Sequence, residues 1–146
     1  MENKVLVTRE QIAKRLGEIA KEVSADYKDK QFILVGILKG SIFTMADFMR
    51  ALHKMGCTDF KVSFVTLRSY SSTQTSSESI KLVQDVDIDL AGQDIIIVDD
   101  IFDTGKSFQF IDKLFRKKGA KSVEGFALLA KPDRHQVIYR PKYIGF

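Results

Sequence analysis

The 146-residue sequence contains one cysteine, two prolines and no tryptophan. The single cysteine, Cys57, has no partner for an intramolecular disulfide, which excludes a disulfide-stapled fold and suits a reducing compartment. No apolar run approaches the roughly 20 residues of a membrane-spanning helix, and no secretory signal pattern opens the chain. With 45% hydrophobic and 29% charged residues, collagen-like and wholly disordered classes are excluded too. We therefore expect one folded domain over residues 1–146, a cytoplasmic location and no membrane partner.

What the sequence does have is a regular alternation of short apolar runs with amphipathic stretches. Thr8 and Gln11 form a capping box before apolar residues at helical spacing, which predicts a helix at 8–24. The runs Phe32–Leu38 and Ile95–Val98 are wholly apolar and too short for helices, so we interpret them as buried strands. The predicted order is helix 8–24, strand 32–38, helix around 42–52, strand 60–67, strand 95–98, helix around 111–115 ending at Gly119, and strand 122–130. This order predicts an α/β fold with a twisted, mainly parallel sheet flanked by helices on both faces.

A polar segment interrupts this alternation after the strand at 60–67. Residues 69–79 include eight serines or threonines in eleven positions and no aliphatic residue before Ile80. Such a composition predicts an exposed, mobile loop.

Ligands of parallel α/β sheets bind beyond the carboxyl ends of the strands. Two predicted strand ends carry suitable chemistry, Leu38-Lys39-Gly40 and the stretch from Val98 to Ser107. Residues Thr104, Gly105, Lys106 and Ser107 offer amides and hydroxyls at a helix N-terminus, where phosphate is favoured. Asp99 and Asp100 precede them, and strand alternation predicts that the two carboxylates point to opposite sides, where they could bind a diol or Mg²⁺.

Charge along the chain supports a site for anions beside a site for cations. Seven aspartates lie from Asp85 to Asp103 with no lysine or arginine among them, whereas residues 104–146 hold ten basic residues against three acidic ones. A phosphorylated metabolite fits this asymmetry as well as a nucleic acid does.

Three other phosphate-handling patterns fail on spacing. A P-loop requires glycine five residues before Gly105, where this chain has Asp100, and no Gly-x-Gly-x-x-Gly fingerprint occurs. A phospho-receiver domain would need its acidic pair near the N-terminus, and only 46 residues follow Asp100.

The stretch Ile96–Ser107 closely resembles the phosphoribosyl-pyrophosphate-binding motif of type I phosphoribosyltransferases. Within that superfamily, Val35–Ser41, Ser69-Tyr70 and Leu128–Pro132 resemble the hypoxanthine (hypoxanthine-guanine) phosphoribosyltransferase pattern in the same order. The resemblance implies transfer of 5-phosphoribosyl from phosphoribosyl pyrophosphate to N9 of hypoxanthine or guanine, giving IMP or GMP and pyrophosphate, with Mg²⁺ as cofactor.

The resemblance also implies roles for individual residues. Asp99 and Asp100 match the acidic pair that contacts the ribose hydroxyls and Mg²⁺, and Asp103 matches the catalytic carboxylate facing purine N7. Thr104, Gly105, Lys106 and Ser107 match the 5′-phosphate cradle, Lys39 and Gly40 the pyrophosphate loop, Lys131 the lysine that donates to the purine 6-oxo group, and Ser69 and Tyr70 the loop that closes over the site.

The sequence departs from the family pattern at two places. Asp99 stands where the family usually has glutamate, and the Asp-Asp pair also resembles xanthine-guanine phosphoribosyltransferases and RNA-binding regulators of the same fold. Lys39 argues against the former and Asp103 against the latter. Family members continue past Tyr143–Phe146 with a segment that covers the purine, so we expect a C-terminally short domain with a small, incomplete hood.

Two expectations about partners follow. We expect a homo-oligomer, a dimer or a tetramer, because family members associate. The alternative to an enzyme is a non-catalytic regulator of the same fold that binds phosphoribosyl pyrophosphate and uses its basic C-terminal third on nucleic acid. Asp103 and Lys131 argue against it, so nucleic acid is not an expected partner.

Overall fold

The computed structural model describes residues 4–71 and 78–146. Within these ranges the chain forms three α-helices, six strands and one 3₁₀ turn. In chain order they are α1 Arg9–Asp26, β1 Phe32–Leu38, α2 Ile42–Lys54, β2 Phe60–Ser71, β3 Glu78–Gln84, β4 Asp94–Phe102, α3 Lys106–Lys117, β5 Ser122–Ala130, the 3₁₀ turn Pro132–Arg134 and β6 Tyr143–Ile144.

All six strands join one sheet in the order β3-β2-β1-β4-β5-β6. Every neighbouring pair is parallel except β2 and β3, which are antiparallel. The prediction of a mainly parallel α/β sheet is therefore confirmed. Because β1, β4 and β5 are parallel neighbours, their carboxyl ends meet at one edge, where parallel sheets bind ligands.

Helices cover both faces of the sheet, and the alternation of side chains along β1 shows why. Phe32 and Leu34 pack on one face with residues of α1 and α2, whereas Ile33 and Val35 pack on the other with residues of α3. A strand covered on both faces must be apolar at every position. This explains the continuous apolar runs that identified β1 and the first part of β4.

The helix boundaries follow local signals that the sequence displays. Thr8 caps α1: its hydroxyl accepts from the Gln11 N–H at 3.1 Å, and the Gln11 side chain accepts from the Thr8 N–H at 2.7 Å. The α3 helix ends just before Gly119, which has φ 92°. That left-handed conformation favours glycine at this end.

The structure corrects the loop predicted at 69–79. β2 continues to Ser71 and β3 begins at Glu78, so both ends of that segment belong to an antiparallel hairpin. Ser69, Ser71 and Ser79 lie in these strand ends, where the neighbouring strand satisfies their backbone N–H and C=O groups. Residues 72–77, on which the rest of the prediction falls, lie outside the described residues.

Two further elements differ from the predictions. β4 continues past Val98 to Phe102, so Asp99 and Asp100 lie inside the strand, paired with β5, and not in the turn after it. The C-terminal pair Tyr143–Ile144 forms β6 against Phe126 and Ala127 of β5.

No helix in the described part of the chain combines the length and the apolarity needed to cross a membrane.

Candidate active site

The acidic pair lies where β4 separates from β1. The β1–β4 register runs from Phe32 opposite Asp94 to Gly36 opposite Val98. Beyond Val98, β4 pairs with β5 as far as Phe102 opposite Ala130. The side of β4 that faced β1 is thus open at the acidic pair, and the loop after β1 turns into this opening.

Gly40 brings that loop against the two carboxylates. A Cβ placed on Gly40 would lie 2.8 Å from Asp100 Oδ1 and 3.2 Å from Asp99 Oδ1. The two strand ends that carried suitable chemistry in the sequence therefore meet, and the prediction that the carboxylates point to opposite sides is wrong. Because both Oδ1 atoms lie within 3.2 Å of the same point beside Gly40, the two carboxylates lie together on the side facing that residue. The backbone N–H of Asp100 also donates to Asp99 Oδ1 at 2.8 Å.

Burial acts strongly on Asp99. Burial of Asp99 is the main cause that raises the pKa of its carboxyl well above its usual range, and the neighbouring Asp100 carboxyl adds to the rise. The N–H of Asp100 opposes the shift by hydrogen bonding to the charged form. Two carboxyls this close favour a cation or a donor-rich ligand beside them.

The turn after β4 leads directly into the N-terminus of α3. Gly105 precedes the helix with φ 89°, and a Cβ there would meet Val137 and the Phe102 ring. Only glycine fits that conformation and that space. Because Gly105 has no side chain to cap α3, the helix begins with amide groups and a positive dipole end suited to an anion.

Thr104 completes this turn, accepting from the Lys106 N–H through Oγ1 at 3.3 Å. Thr104, Gly105, Lys106 and Ser107 therefore occupy the turn and first helical positions predicted for a phosphate cradle, within a few residues of the acidic pair.

Asp103 lies between the acidic pair and the cradle, and it has an ion-pair partner that sequence reasoning missed. Arg134 Nε donates to Asp103 Oδ1 at 3.0 Å, with both side chains partly exposed. The two residues are 31 positions apart. The only sequence motif close to Arg134 is Lys131-Pro132, and that motif does not predict an ion pair between Arg134 and Asp103.

Lys131 begins the segment that carries Arg134. Its N–H donates to the Phe102 carbonyl at 2.9 Å, which places the residue beside the end of β4, and its side chain is exposed. Lys39 is likewise exposed, directly before Gly40. Both lysines lie at the edge where the acidic pair and the cradle meet.

Ser69 and Tyr70 lie in the hairpin, opposite Ile80 and Ser79. The Lys81 ammonium lies 4.9 Å from the centre of the Tyr70 ring. A cavity of about 310 Å³ separates the hairpin from α3, with Ile80 on one side and Lys106 on the other. The residues predicted to close over the site thus belong to strand β2, and the hairpin they form approaches the start of α3.

Among the described residues, no group of three or more histidine, cysteine, aspartate or glutamate side chains is arranged to hold a metal ion. The acidic pair alone supplies two carboxylates. Mg²⁺ is commonly bound by one or two carboxylates together with substrate phosphates and water, so the donor set fits a metal that arrives with its substrate.

Known proteins match this chain over nearly its whole length. The phosphoribosyl transferase domain model matches residues 3–146. Hypoxanthine-guanine phosphoribosyltransferase of Bacillus subtilis is 32% identical over 143 residues, which cover 98% of this chain and 77% of that protein. The Dictyostelium discoideum enzyme of the same name is 33% identical over 147 residues, covering 100% and 81%.

Solved structures agree with the sequence matches. A hypoxanthine phosphoribosyltransferase from Staphylococcus aureus superposes with a TM-score of 0.89 at 29% identity, and the match covers 98% of this chain and 76% of the other. Together with the sheet order and the Gly105 turn, these matches place the chain in a known family: it belongs to the phosphoribosyl transferase domain family.

Proposed function

We propose that the chain is a purine-salvage transferase, which moves 5-phosphoribosyl from phosphoribosyl pyrophosphate to N9 of hypoxanthine or guanine. The products are IMP or GMP and pyrophosphate. One observation carries the proposal: the Gly40 loop, the carboxylates of Asp99 and Asp100, and the N-terminus of α3 lie at one edge of the sheet. The relatives' names and the family match support the same reaction.

The donor's two anionic groups and the ribose between them correspond to three parts of this edge. The 5′-phosphate binds the amides and hydroxyls from Thr104 to Ser107, where the helix dipole favours negative charge. The ribose hydroxyls donate to the carboxylates of Asp99 and Asp100. The pyrophosphate lies along the Lys39-Gly40 loop, which the absence of a Cβ on Gly40 allows to approach the acidic pair closely.

Asp103 is the proposed general base, which accepts the proton from purine N7. The N9–C1′ bond forms while the C1′–O bond breaks, and pyrophosphate leaves with the electron pair of that bond. The proton on purine N7 passes to the Asp103 carboxylate, which acts as general base in this direction. Lys131 donates to the purine 6-oxo group from the segment that follows β5.

Mg²⁺ is the proposed cofactor, brought to the acidic pair by the donor. When bound, it would neutralise negative charge that develops on the pyrophosphate. Asp99 and Asp100 would hold it through their carboxylates, directly or through water, in addition to orienting the ribose.

The hairpin is proposed to exclude water. A ribosyl cation-like transition state is vulnerable to hydrolysis, so the site must be covered while the C1′–O bond breaks. Ser69 and Tyr70 lie on the hairpin strand next to the cavity that borders Lys106. We propose that this hairpin closes over the bound donor.

The remaining proposals concern the protein as a whole. We propose that residues 1–146 form one phosphoribosyltransferase domain, which acts in the cytoplasm and forms a homo-oligomer. Ile42 and Phe43, adjacent on α2, are both exposed, and contiguous exposed apolar side chains are typical of surfaces at which chains associate. Sedimentation of the purified chain distinguishes a monomer from a dimer or tetramer.

The direct test is an assay of the purified chain with phosphoribosyl pyrophosphate, Mg²⁺ and hypoxanthine. We expect IMP to form. Asp103→Asn should lower kcat by about 10²- to 10⁴-fold, the usual contribution of a general base. Binding of phosphoribosyl pyrophosphate should change by less than about threefold, because Asp103 acts on the purine and not on the donor.

Asp47→Asn is the matched control, because it removes an exposed carboxylate on α2 that pairs with Arg50. It should leave turnover unchanged. Equal losses of turnover and donor binding in Asp103→Asn would contradict the assigned role. No IMP from the unmodified chain, together with donor binding and salt-dependent RNA binding, would favour the regulator over the transferase.

A further inference from the structure

Arg134 is a charged residue in contact with the proposed base, and the proposed mechanism does not use it. It belongs to the 3₁₀ turn Pro132–Arg134, and its Nε donates to Asp103 Oδ1 at 3.0 Å. The ion pair engages one carboxylate oxygen and leaves Oδ2 outside it. A general base needs one oxygen for the proton, so this contact and proton transfer are compatible.

Backbone hydrogen bonds on both sides of the ion pair fix its geometry. The residue before Asp103, Phe102, accepts from the Lys131 N–H at 2.9 Å, and the residue after it, Thr104, accepts from the Gln136 N–H at 2.8 Å. These two bonds bracket Asp103 on one segment and Arg134 on the other. The two backbones are therefore held at the spacing that the side chains bridge.

Side-chain packing supports the same contact. The His135 ring meets the Phe102 ring edge-on, with centroids 4.6 Å apart, and Val137 packs where Gly105 lacks a side chain. The Arg134 N–H donates to the Lys131 carbonyl at 3.0 Å, which closes the turn that presents the guanidinium. Residues 131–137 thus pack as a unit against residues 102–105.

Stability does not account for this arrangement. The side chains of Arg134 and Asp103 are 61% and 42% exposed, and exposed ion pairs contribute little to folding because water and salt screen them. A base oriented by a third group is, in contrast, a recurring feature of sites that transfer protons.

We propose that Arg134 is a positioning residue, which orients the Asp103 carboxylate through Oδ1 so that Oδ2 receives the purine N7 proton. This rests on the proposed transferase function. The contact also ties Asp103 to Lys131 through one short turn, so the two groups that address the purine keep a fixed spacing. Arg134 touches neither substrate in this proposal and acts through Asp103 alone.

The test is a double-mutant cycle on the full chain with Arg134→Gln, Asp103→Asn and the double variant. Arg134→Gln should lower kcat about tenfold, since misplacing a catalytic group by about 1 Å can cost up to 10²-fold. The KM for phosphoribosyl pyrophosphate should stay within about twofold. In the Asp103→Asn background, the same substitution should change kcat less than about twofold, because the group it orients no longer accepts the proton.

Arg50→Gln is the matched control, because Arg50 forms an exposed pair with Asp47 at 3.2 Å on α2. It should leave kcat unchanged, and circular dichroism confirms that all variants fold. An equal loss from Arg134→Gln in both backgrounds, or wild-type kcat in the single variant, would overturn the positioning role while the transferase function stands. An inactive wild-type chain would overturn both proposals, and wild-type turnover separates the two failures.

Discussion

At the scale of single residues, Gly40 sets the contact between the β1 loop and the acidic pair. Gly40→Ala would place a methyl group 2.8 Å from Asp100 Oδ1 and 3.2 Å from Asp99 Oδ1, so the carboxylates or the loop must shift. Because donor binding needs both in place, we expect kcat/KM for phosphoribosyl pyrophosphate to fall about 10- to 100-fold. Steady-state kinetics with hypoxanthine saturating measures this.

Gly17→Ala is the control for that change. Gly17 lies on the exposed side of α1 with nothing within 4 Å of an added Cβ. Alanine there should raise the free energy of unfolding by about 0.5–1 kcal/mol, because glycine loses more backbone entropy in a helix. Kinetics should not change. If Gly40→Ala is as active as Gly17→Ala, the acidic pair is not held against the loop during the reaction.

Most residues of the candidate site could be predicted from the sequence, because they follow the ends of apolar strands. The acidic pair, the Gly105 turn and Lys39-Gly40 follow apolar strands that had to be neighbours in a parallel sheet. The predicted orientation of Asp99 and Asp100 was wrong because strict alternation does not continue along β4: Phe102 packs in the same cluster as Ile95 and Ile97, although alternation would place it on the other face. Arg134 was not predictable, because a long side chain in an exposed turn can reach many partners.

At the scale of elements, hydrogen bonds connect the two-residue strand β6 and the residue after it to helix α1. Arg15 of α1 donates from Nε to the Gly145 carbonyl at 3.0 Å and from Nη2 to the Ile144 carbonyl at 2.8 Å. The N–H groups of Gly145 and Phe146 bond to carbonyls of β5, and Phe146 accepts from the Ala130 N–H, next to Lys131. One side chain of α1 therefore stabilises the end of the sheet beside the site.

Arg15→Met tests that connection. It leaves two partly buried carbonyls without their donor, which costs about 1–3 kcal/mol of unfolding free energy. Hydrogen exchange at the Gly145 and Phe146 amides should accelerate more than exchange in β1. Arg50→Met, which breaks an exposed pair on α2, should stay within about 0.5 kcal/mol of wild type. Unchanged exchange at both amides in Arg15→Met would show that β5 alone holds β6.

The strands differ in how readily they could be predicted from the sequence. β1, the first part of β4 and β5 are buried on both faces, and such strands must be apolar throughout, so their runs were visible. β3 is an edge strand with Val83 55% exposed, and its mixture of polar and apolar residues resembles a loop. β6 is too short for any periodicity to show. The ends of the 69–79 segment depend on a pairing between distant residues, which composition does not reveal.

At the scale of the whole molecule, the fold joins an acidic strand end to a basic C-terminal third. Asp99, Asp100 and Asp103 lie on or just after β4, whereas the basic residues of 104–146 are distributed along α3 and the segment beyond β5. The sheet order places β4 between β1 and β5. A ligand with phosphates at both ends and hydroxyls between them matches this layout, whereas the charge asymmetry of the sequence alone fitted a phosphorylated metabolite and a nucleic acid equally well.

Unfolding of the whole molecule is coupled to the ionisation of three tyrosine side chains. This coupling predicts that the protein loses stability at alkaline pH. Burial is the first cause that raises the pKa of Tyr27 to about 12 and raises those of Tyr139 and Tyr143 above the ordinary value of 10.0. Unfolded tyrosines lose their protons near pH 10, whereas these three keep theirs in the folded state. Stability is therefore fully present below pH 10 and is lost as the pH rises, by about 1.4 kcal/mol per tyrosine at pH 11.

Tyr143→Phe isolates one of the three. Tyr143 donates to Asp26 Oδ2 at 2.6 Å, so the variant should be about 1–2 kcal/mol less stable than wild type at pH 8. Because phenylalanine does not ionise, that deficit should shrink by about 1.4 kcal/mol between pH 8 and pH 11. Denaturant unfolding at both pH values measures the two differences, and Tyr70→Phe on the exposed hairpin serves as control. A deficit that is equal at pH 8 and pH 11 would mean that Tyr143 ionises in the folded protein as easily as in the unfolded chain.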